Sequence, residues 1–414
     1  MSKDKYNVRI LTGIRPTTEN QYGEPFIHSR YYELIHQNVD SKLYMVTFTY
    51  SRYVQLLYQF LRGKAFNNVE CLNHSTDPYI SLGLTSGLLD QVLYHLFPRY
   101  QLKKRAYHLG LQMDIQKNTI LHVHWAYPHG YYGVQIAKKF GVPCVITAHG
   151  SDIHTFPKHN RYTQKLTVDA IEQADMAIFV SHSLLNDAKE LGYSGNNSVI
   201  IPNGLDLSYF KPMTRDLAQK KTGWTQTRKF VVGFVGNFRS VKGVDRIPNI
   251  FKNIQKKVSN VEFIMVGNGE LEPILRDECK QANLQVTFVG RVRYDMVANW
   301  MNLFDVMILP SRNESWGCVV VEAYSCGIPV VASEVGGIPE VMCGAGHLVP
   351  DGEYFDERFS EIVCSVLLEN NNIDKERLRE IASEYTWERC VSNEREIYKI
   401  CLNKKSNLGE DERS

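Results

Sequence analysis

Short apolar, β-branched runs alternate with longer stretches of helical periodicity through most of the chain. The first series is VRILTG (8–13), ILHVHW (120–125), CVITAHG (144–150), MAIFVS (176–181) and SVIIPNG (198–204). The second is KFVVGFVGNF (229–238), VEFIMVGNG (261–269), VTFVGRV (286–292), VMILPS (306–311) and IPVVAS (328–333). Runs that are apolar on both faces, with room for a crossover helix between them, predict parallel sheets. Two series predict two doubly wound α/β domains, residues 1–204 and 229–383, joined by a linker over 205–228 that lacks a strand pattern and mixes charge with Pro and Gly. EYTWERCVSNEREIYKICLNKK (384–405) reads as an amphipathic helix with Trp387, Cys390, Ile397 and Tyr398 as packing residues, expected to return to the N-terminal domain. Residues 406–414 are polar and read as a frayed tail. Ligands of such sheets bind beyond the carboxyl ends of the strands, so functional residues are expected there, in a cleft between the domains.

Length supports this division, because 414 residues exceed the roughly 250–300 at which a single core stops growing. Charge excludes one class of partner: 47 Lys and Arg against 45 Asp and Glu leave +2, which gives no field for holding nucleic acid. Nine cysteines without a CxxC pair, Cys144, Cys318 and Cys364 among them in apolar segments, point to reduced thiols in a cytoplasmic protein. Their spacing with His and acids suggests no metal cluster. MSKDKYNVRILTG passes directly into a strand pattern, so no signal peptide is expected, and no window approaches the length of a membrane span.

Candidate chemistry concentrates at strand ends. SRNESWGCVVVEAYSCGIPVVAS (311–333) carries Glu314 and Glu322 at the two ends of a small, apolar run. If Gly317–Ser325 is a helix, the two carboxylates lie roughly 10 Å apart. The free N–H groups of the helix start would then lie between them, and such groups favour phosphate. Acid, anion site, acid is an order of contacts suited to a sugar, a pyrophosphate and a ribose; a surface cap and a solvated helix residue would read the same way. GFVGNFRSVKG (233–243) places Arg239 and Lys242 after a strand, where two cations could hold a diphosphate or simply form a basic turn, and no Walker loop aligns. Gly267 in VGNGEL, and Arg291 and Val292 in VGRV, end two further strands; backbone there could approach a flat ligand or make a tight turn. GGIPE (336–340) offers another turn into a helix. AHGSDI (148–153) ends a strand with His149, placed to donate to a sugar hydroxyl, although a lone histidine is more often structural. His122 and His124 share one strand face with no acid or thiol to complete a metal set.

In this order the segments resemble the retaining glycosyltransferases of family 4, which have the GT-B fold: AHGSD, ADMAIFVSHSL, VIIPNGLDLSYFKP, VGNFRSVKG, VGNGEL, VTFVGRV and ESWGCVVVEAYSCGIPVVASEVGGIPEV, the last resembling the family's E-x7-E signature. The resemblance implies that Glu322 accepts from ribose hydroxyls, that Glu314 holds hydroxyls of the transferred sugar with main-chain help from Ser315, Trp316, Gly317 and Cys318, and that Arg239 and Lys242 neutralise the diphosphate. It implies that His149 touches the sugar near the reacting carbon and that Gly23 approaches the phosphates. It also implies a nucleotide-sugar donor, most often UDP- or GDP-linked, a glycan or lipid-linked acceptor, retention of anomeric configuration, and neither metal nor cofactor. Asn237 stands where many relatives place Arg, and the first loop, TGIRPTTENQYGEPF (12–26), lacks the family's Gly-Gly pair. The acceptor is expected on the first domain, where 49–66 and 86–109 mix aromatic, leucine and basic residues that would either rest on anionic lipid or pack in the core. A nucleotide-sugar epimerase of the same shape and a non-catalytic sugar-nucleotide-binding protein are the rival readings. A dehydrogenase is excluded by the missing GxGxxG after the first strand.

Overall fold

The computed structural model describes residues 6–13, 25–50, 79–86, 90, 93, 96–368 and 374–411. Its chain divides into two compact units, one made of Met1–Val180, Leu185–Ile201 and Cys390–Ser414, the other of Ser181–Leu184 and Pro202–Arg389.

The first unit is built on seven parallel strands: β1 (Asn7–Thr12), β2 (Asp40–Tyr50), β3 (Tyr79–Ser86), β4 (Thr119–His124), β5 (Cys144–Ala148), β6 (Met176–Phe179) and β7 (Ser198–Ile200), in the order β3-β2-β1-β4-β5-β6-β7. Every residue of β1, β4 and β5 is buried, as expected when helices cover both faces of a parallel sheet. The order reverses between β1 and β4, which opens a crevice at their carboxyl ends.

The second unit repeats the plan with six strands: β8 (Phe230–Val235), β9 (Val261–Val266), β10 (Val286–Gly290), β11 (Val306–Leu309), β12 (Val330–Ser333) and β13 (His347–Val349), in the order β10-β9-β8-β11-β12-β13. Here the switch lies between β8 and β11. Helix Ile247–Lys257 shows why the sequence chose this packing: Ile247, Ile250, Phe251 and Ile254 recur at helical spacing and are fully buried. Phe251 stacks on Phe263 of β9 with ring centroids 3.9 Å apart.

Three features differ from the sequence reading. Strands β2, β3 and β13 are additional to those read from the pattern. The segment read as a linker contains a helix, Arg215–Thr222, opened by the Thr214 side chain and closed by Gly223 in the left-handed conformation, and it clusters with the second unit. The tail read as frayed continues the last helix, which runs Trp387–Asp411 and belongs to the first unit from Cys390 onward. Trp387, Cys390, Ile397 and Tyr398 are all buried.

Candidate functional site

In the second unit the loops leaving β8 and β11 meet at the switch point. Gly243 has φ 64° and comes so close to the β11 loop that a Cβ there would lie 1.8 Å from the Pro310 carbonyl. Arg312 locks the approach: its N–H donates to the Val241 carbonyl at 2.9 Å, and its guanidinium spans the Asp245 carboxylate with two 2.6 Å bonds. The result is that Lys242 Nζ sits 2.6 Å from Glu314 Oε1, to which Ser311 Oγ also donates at 2.9 Å. Both bonds fall on one oxygen, leaving Oε2 without a partner among the described residues.

A third loop holds Glu314 from behind. The Gly337 N–H donates to the Glu314 carbonyl at 2.8 Å. Gly336 has φ 55°, and a Cβ on it would stand 2.0 Å from the same carbonyl oxygen. The Gly-Gly turn is therefore required by close packing as well as by backbone conformation. Ser181 Oγ donates to the Ser315 carbonyl at 2.5 Å, which fixes the next residue.

Helix Cys318–Ser325 follows, one residue later than the sequence suggested, because Gly317 takes the left-handed conformation at φ 90° and serves as its cap. No side chain caps it, so the N–H groups of its first turn remain directed at whatever occupies the space before them. One turn on, Glu322 is half-buried and accepts a hydrogen bond from the Tyr294 hydroxyl. Burial pushes its carboxyl up to about 8, opposed by that bond. Cys318 and Cys326, flanking it, are pushed up to about 12 by burial first and by Glu322 second, so both remain thiols.

The ends of β8, β9 and β10 are laced by main chain. Gly236 N–H donates to Val266 at 3.0 Å and Gly267 N–H to Gly290 at 2.9 Å; a Cβ on Gly267, whose φ is 130°, would lie 2.0 Å from the Gly236 carbonyl. Arg291 and Val292 leave the last of these strands, Arg291 exposed and Val292 half-buried. Arg239 is exposed, and its side chain is joined to neither Lys242 nor Glu314.

In the first unit the carboxyl ends of β4 and β5 are tied by Asp152, whose Oδ1 accepts from His149 N–H at 3.1 Å and Gly150 N–H at 2.8 Å while Oδ2 accepts from Ala126 N–H at 2.7 Å. This places the His149 ring between Phe26 and Trp125, with centroids 4.6 and 4.9 Å away. Its Nε2 lies 2.9 Å from Nδ1 of His124. Burial holds His149 well below the usual imidazole range, with Arg30 and His122 adding to the effect.

Of the residues singled out in the sequence, the structure joins Lys242 to the stretch Glu314, Ser315, Trp316, Gly317 and Cys318 in the second unit, with Glu322 one turn along the helix. Gly267, Arg291 and Val292 lie at the neighbouring strand ends, and His149 belongs to the other unit. Gly23 lies outside the described residues, as does most of 49–66. Among the described residues no group of three or more His, Cys, Asp or Glu is placed to hold a metal ion. Sequence reading missed Tyr294 and Ser311. Ser311 stood three residues before Glu314 and could have been found as a local side-chain partner; Tyr294 had no such signal.

Comparison with known proteins places these features in context. A family model described as Glycosyltransferase Family 4 matches residues 72–209, and one described as Glycosyl transferases group 1 matches residues 229–368. The chain is 34% identical over 230 residues to N-acetyl-alpha-D-glucosaminyl L-malate synthase of Bacillus anthracis, a match covering 54% of this chain and 58% of that protein. It is 26% identical over 270 residues to the GDP-mannose-dependent monoacylated alpha-(1-6)-phosphatidylinositol monomannoside mannosyltransferase of Corynebacterium glutamicum, covering 61% of this chain and 69% of that one. The structure of Anabaena HepE in complex with UDP and glucose shares the fold, with a TM-score of 0.70 at 18% identity over 95% of this chain and 99% of that one.

Proposed function

Because the chain belongs to the family-4 glycosyltransferases and has their GT-B fold, we propose that it transfers a hexose-type sugar, with retention of configuration, from a UDP- or GDP-sugar to a glycan or lipid-linked glycan. The observation that carries this reading is the row formed by Lys242–Glu314, the uncapped helix start after Gly317, and Glu322–Tyr294. A diphosphate set against the helix start would take Lys242 and Arg239 as counter-charges. Glu314, with Oε2 open, would then hold sugar hydroxyls, and Glu322 the ribose. Main chain at Gly267, Arg291 and Val292 would border the base. Lys242, Glu314 and Glu322 are held by partners in advance of reaction, which is how charge developing on a leaving phosphate is stabilised without reorganisation.

In the step itself the bond from the anomeric carbon to phosphate oxygen breaks, with its electron pair passing to the phosphate. The acceptor oxygen bonds to the same face of that carbon, and the acceptor proton passes to the departing phosphate. His149 would offer its ring to a sugar hydroxyl. Neither metal nor cofactor enters this scheme.

The acceptor belongs to the first unit in this reading. Helix Pro98–Gln112 and the residues before it expose Leu96, Phe97, Tyr100, Tyr107 and Leu111. Lys103 and Lys104 are exposed on the same helix. Apolar rings beside cations suit the interface of an anionic membrane, and with it a lipid-linked acceptor in bacterial surface polysaccharide assembly, O-antigen or capsule for example, at the cytoplasmic side. No described helix is long and apolar enough to cross a membrane.

A thermal-shift panel of UDP-, GDP- and ADP-sugars tests the donor claim, since a ligand at 100 times its Kd stabilises by about 2.7 kcal/mol. One nucleotide class is expected to raise Tm and to lose the effect in Glu322→Ala. No shift with any of them would end the reading.

A further inference from the structure

The core of the first unit contains two hydrogen-bonded chains lying ring against ring. In one, Arg30 Nε donates to Glu394 Oε1 at 2.6 Å, and Tyr398 donates its hydroxyl proton to Glu394 Oε2 at 3.4 Å. That tyrosine oxygen lies 2.7 Å from His122 Nδ1, and His122 Nε2 lies 2.7 Å from Thr147 Oγ1. In the other, His124 Nδ1 meets His149 Nε2 at 2.9 Å, and the His122 and His124 rings are 4.6 Å apart. Every one of these side chains is buried except His149, which reaches the end of β5.

The protons can be counted. Burial first, and the Arg30 charge with it, keeps His122, His124 and His149 in the neutral form. A neutral imidazole has one N–H, so one proton fills the bond between His124 and His149. If His124 donates from Nδ1, the proton of His149 must be on its own Nδ1. If His149 donates from Nε2, its Nδ1 is bare. His149 Nδ1 and His124 Nε2 are both buried and have no partner among the described residues. In the first chain both imidazole nitrogens are engaged, since Tyr398 gives its proton to Glu394, accepts from His122 Nδ1, and leaves His122 Nε2 to accept from Thr147. The second chain ends on both sides in an imidazole nitrogen without a partner among the described residues.

We propose that His124 is a positioning residue for a sugar-binding histidine: by holding His149 Nε2 it fixes the orientation of the ring, so that Nδ1 is presented to a carbohydrate hydroxyl. This rests on the reading that His149 contacts sugar. A hydroxyl is the ligand group that fits, because it can give or take a hydrogen bond and so matches Nδ1 in either state, whereas a phosphate or carboxylate oxygen matches only one. A packing role alone would be better filled by the Val or Leu that occupy neighbouring positions of the same sheet, since a buried nitrogen without a partner is costly.

The test uses three variants of the full chain with whichever of UDP-glucose, UDP-N-acetylglucosamine, GDP-mannose and ADP-glucose most stabilises it, reading nucleoside diphosphate release. His124→Phe keeps the ring and removes the bond; His124→Asn returns a polar atom near the Nδ1 position; His149→Ala is the control. We expect His124→Phe to lower kcat about 10- to 100-fold, the loss typical when the hydrogen-bond partner that orients a metal-ligating histidine is removed, with nucleoside diphosphate affinity and Tm unchanged. His124→Asn should recover most of the rate. Full activity in His149→Ala would remove the sugar contact and this proposal together. A crippled His149→Ala beside a fully active His124→Phe would overturn the proposal and leave the contact standing. Equal losses in His124→Phe and His124→Asn, accompanied by a fall in Tm, would assign His124 to packing and overturn it as well.

Discussion

Each unit contains an ion pair close to its candidate chemistry, and the two are built differently. Arg30 and Glu394 are fully buried, 0% exposed on both sides, and stand 364 positions apart in the chain. Cys390, Tyr398 and His122 surround it, and both Glu394 oxygens are engaged. Lys242 and Glu314 are 29% and 8% exposed, and one carboxylate oxygen is left open. A pair with partial exposure contributes about 0–1 kcal/mol to stability, too little to explain the two glycines and the arginine clamp that hold it in place. The difference separates a charge kept for architecture from a charge kept available.

The largest expected effect breaks the buried pair. Arg30→Met and Glu394→Gln should each destabilise the first unit by about 3–5 kcal/mol, because each strands a buried partner. Replacing both, Arg30→Met with Glu394→Leu, should recover most of that loss, since the desolvation of both groups is relieved together. Urea unfolding of the three variants measures this. Single substitutions costing under about 1 kcal/mol would mean that water reaches the pair, and the contrast with Lys242–Glu314 would vanish.

Next comes the open pair, where the signs should be reversed. Lys242→Met should reduce turnover about 10²- to 10³-fold, the cost of losing one preorganised group that faces developing charge. Its stability should stay within about 1 kcal/mol of the native chain. Measuring kcat beside a urea midpoint for the same variant separates the two. A variant that turns over normally but unfolds early would make this pair architectural too.

How much of this was legible follows from the same contrast. The strands of the second unit were readable because VVGFV, FIMV and VMIL are unbroken apolar runs ended by Gly or Pro, and burial on both faces demands such runs. Strand β2, DSKLYMVTFTY, was hidden by a charged start and an aromatic end that merged with the basic stripe after it, and β13 has only three residues. Helix Arg215–Thr222 had its signals, Thr214 before it and Gly223 after it, but its low apolar content read as linker. Glu314, Lys242 and Glu322 could be picked out as charges at strand and helix ends. Their pairing could not, nor could the tie between Tyr294 and Glu322, because both depend on crossovers that bring distant loops to one switch point. Arg30 and Glu394 gave no sign at all: a buried pair between the first helix and the last is a fact of tertiary packing alone.

The smallest expected effect sharpens the comparison through pH. Glu394 faces a guanidinium, while Glu322 among the described residues is held by the Tyr294 hydroxyl, and burial raises its carboxyl from 4.5 to about 8. The folded chain therefore binds this proton more tightly than the unfolded chain does. Between those two values the native state holds more protons, so the contribution of Glu322 to stability falls as pH rises through the window and is level above it. Glu322→Gln has nothing to titrate. Its Tm should match the native protein near pH 5 and exceed it by about 2–4 °C at pH 8 and above, taking an effect of order 1 kcal/mol in a unit of this size. Removing the bond with Tyr294→Phe should push the carboxyl higher still and extend the window upward. A Tm difference that does not change with pH would show that the carboxyl is already ionised in the folded protein. If a nucleotide's ribose hydroxyls donate to the carboxylate, binding must release this proton, and donor affinity measured across the same pH range should rise toward pH 8 and then level off.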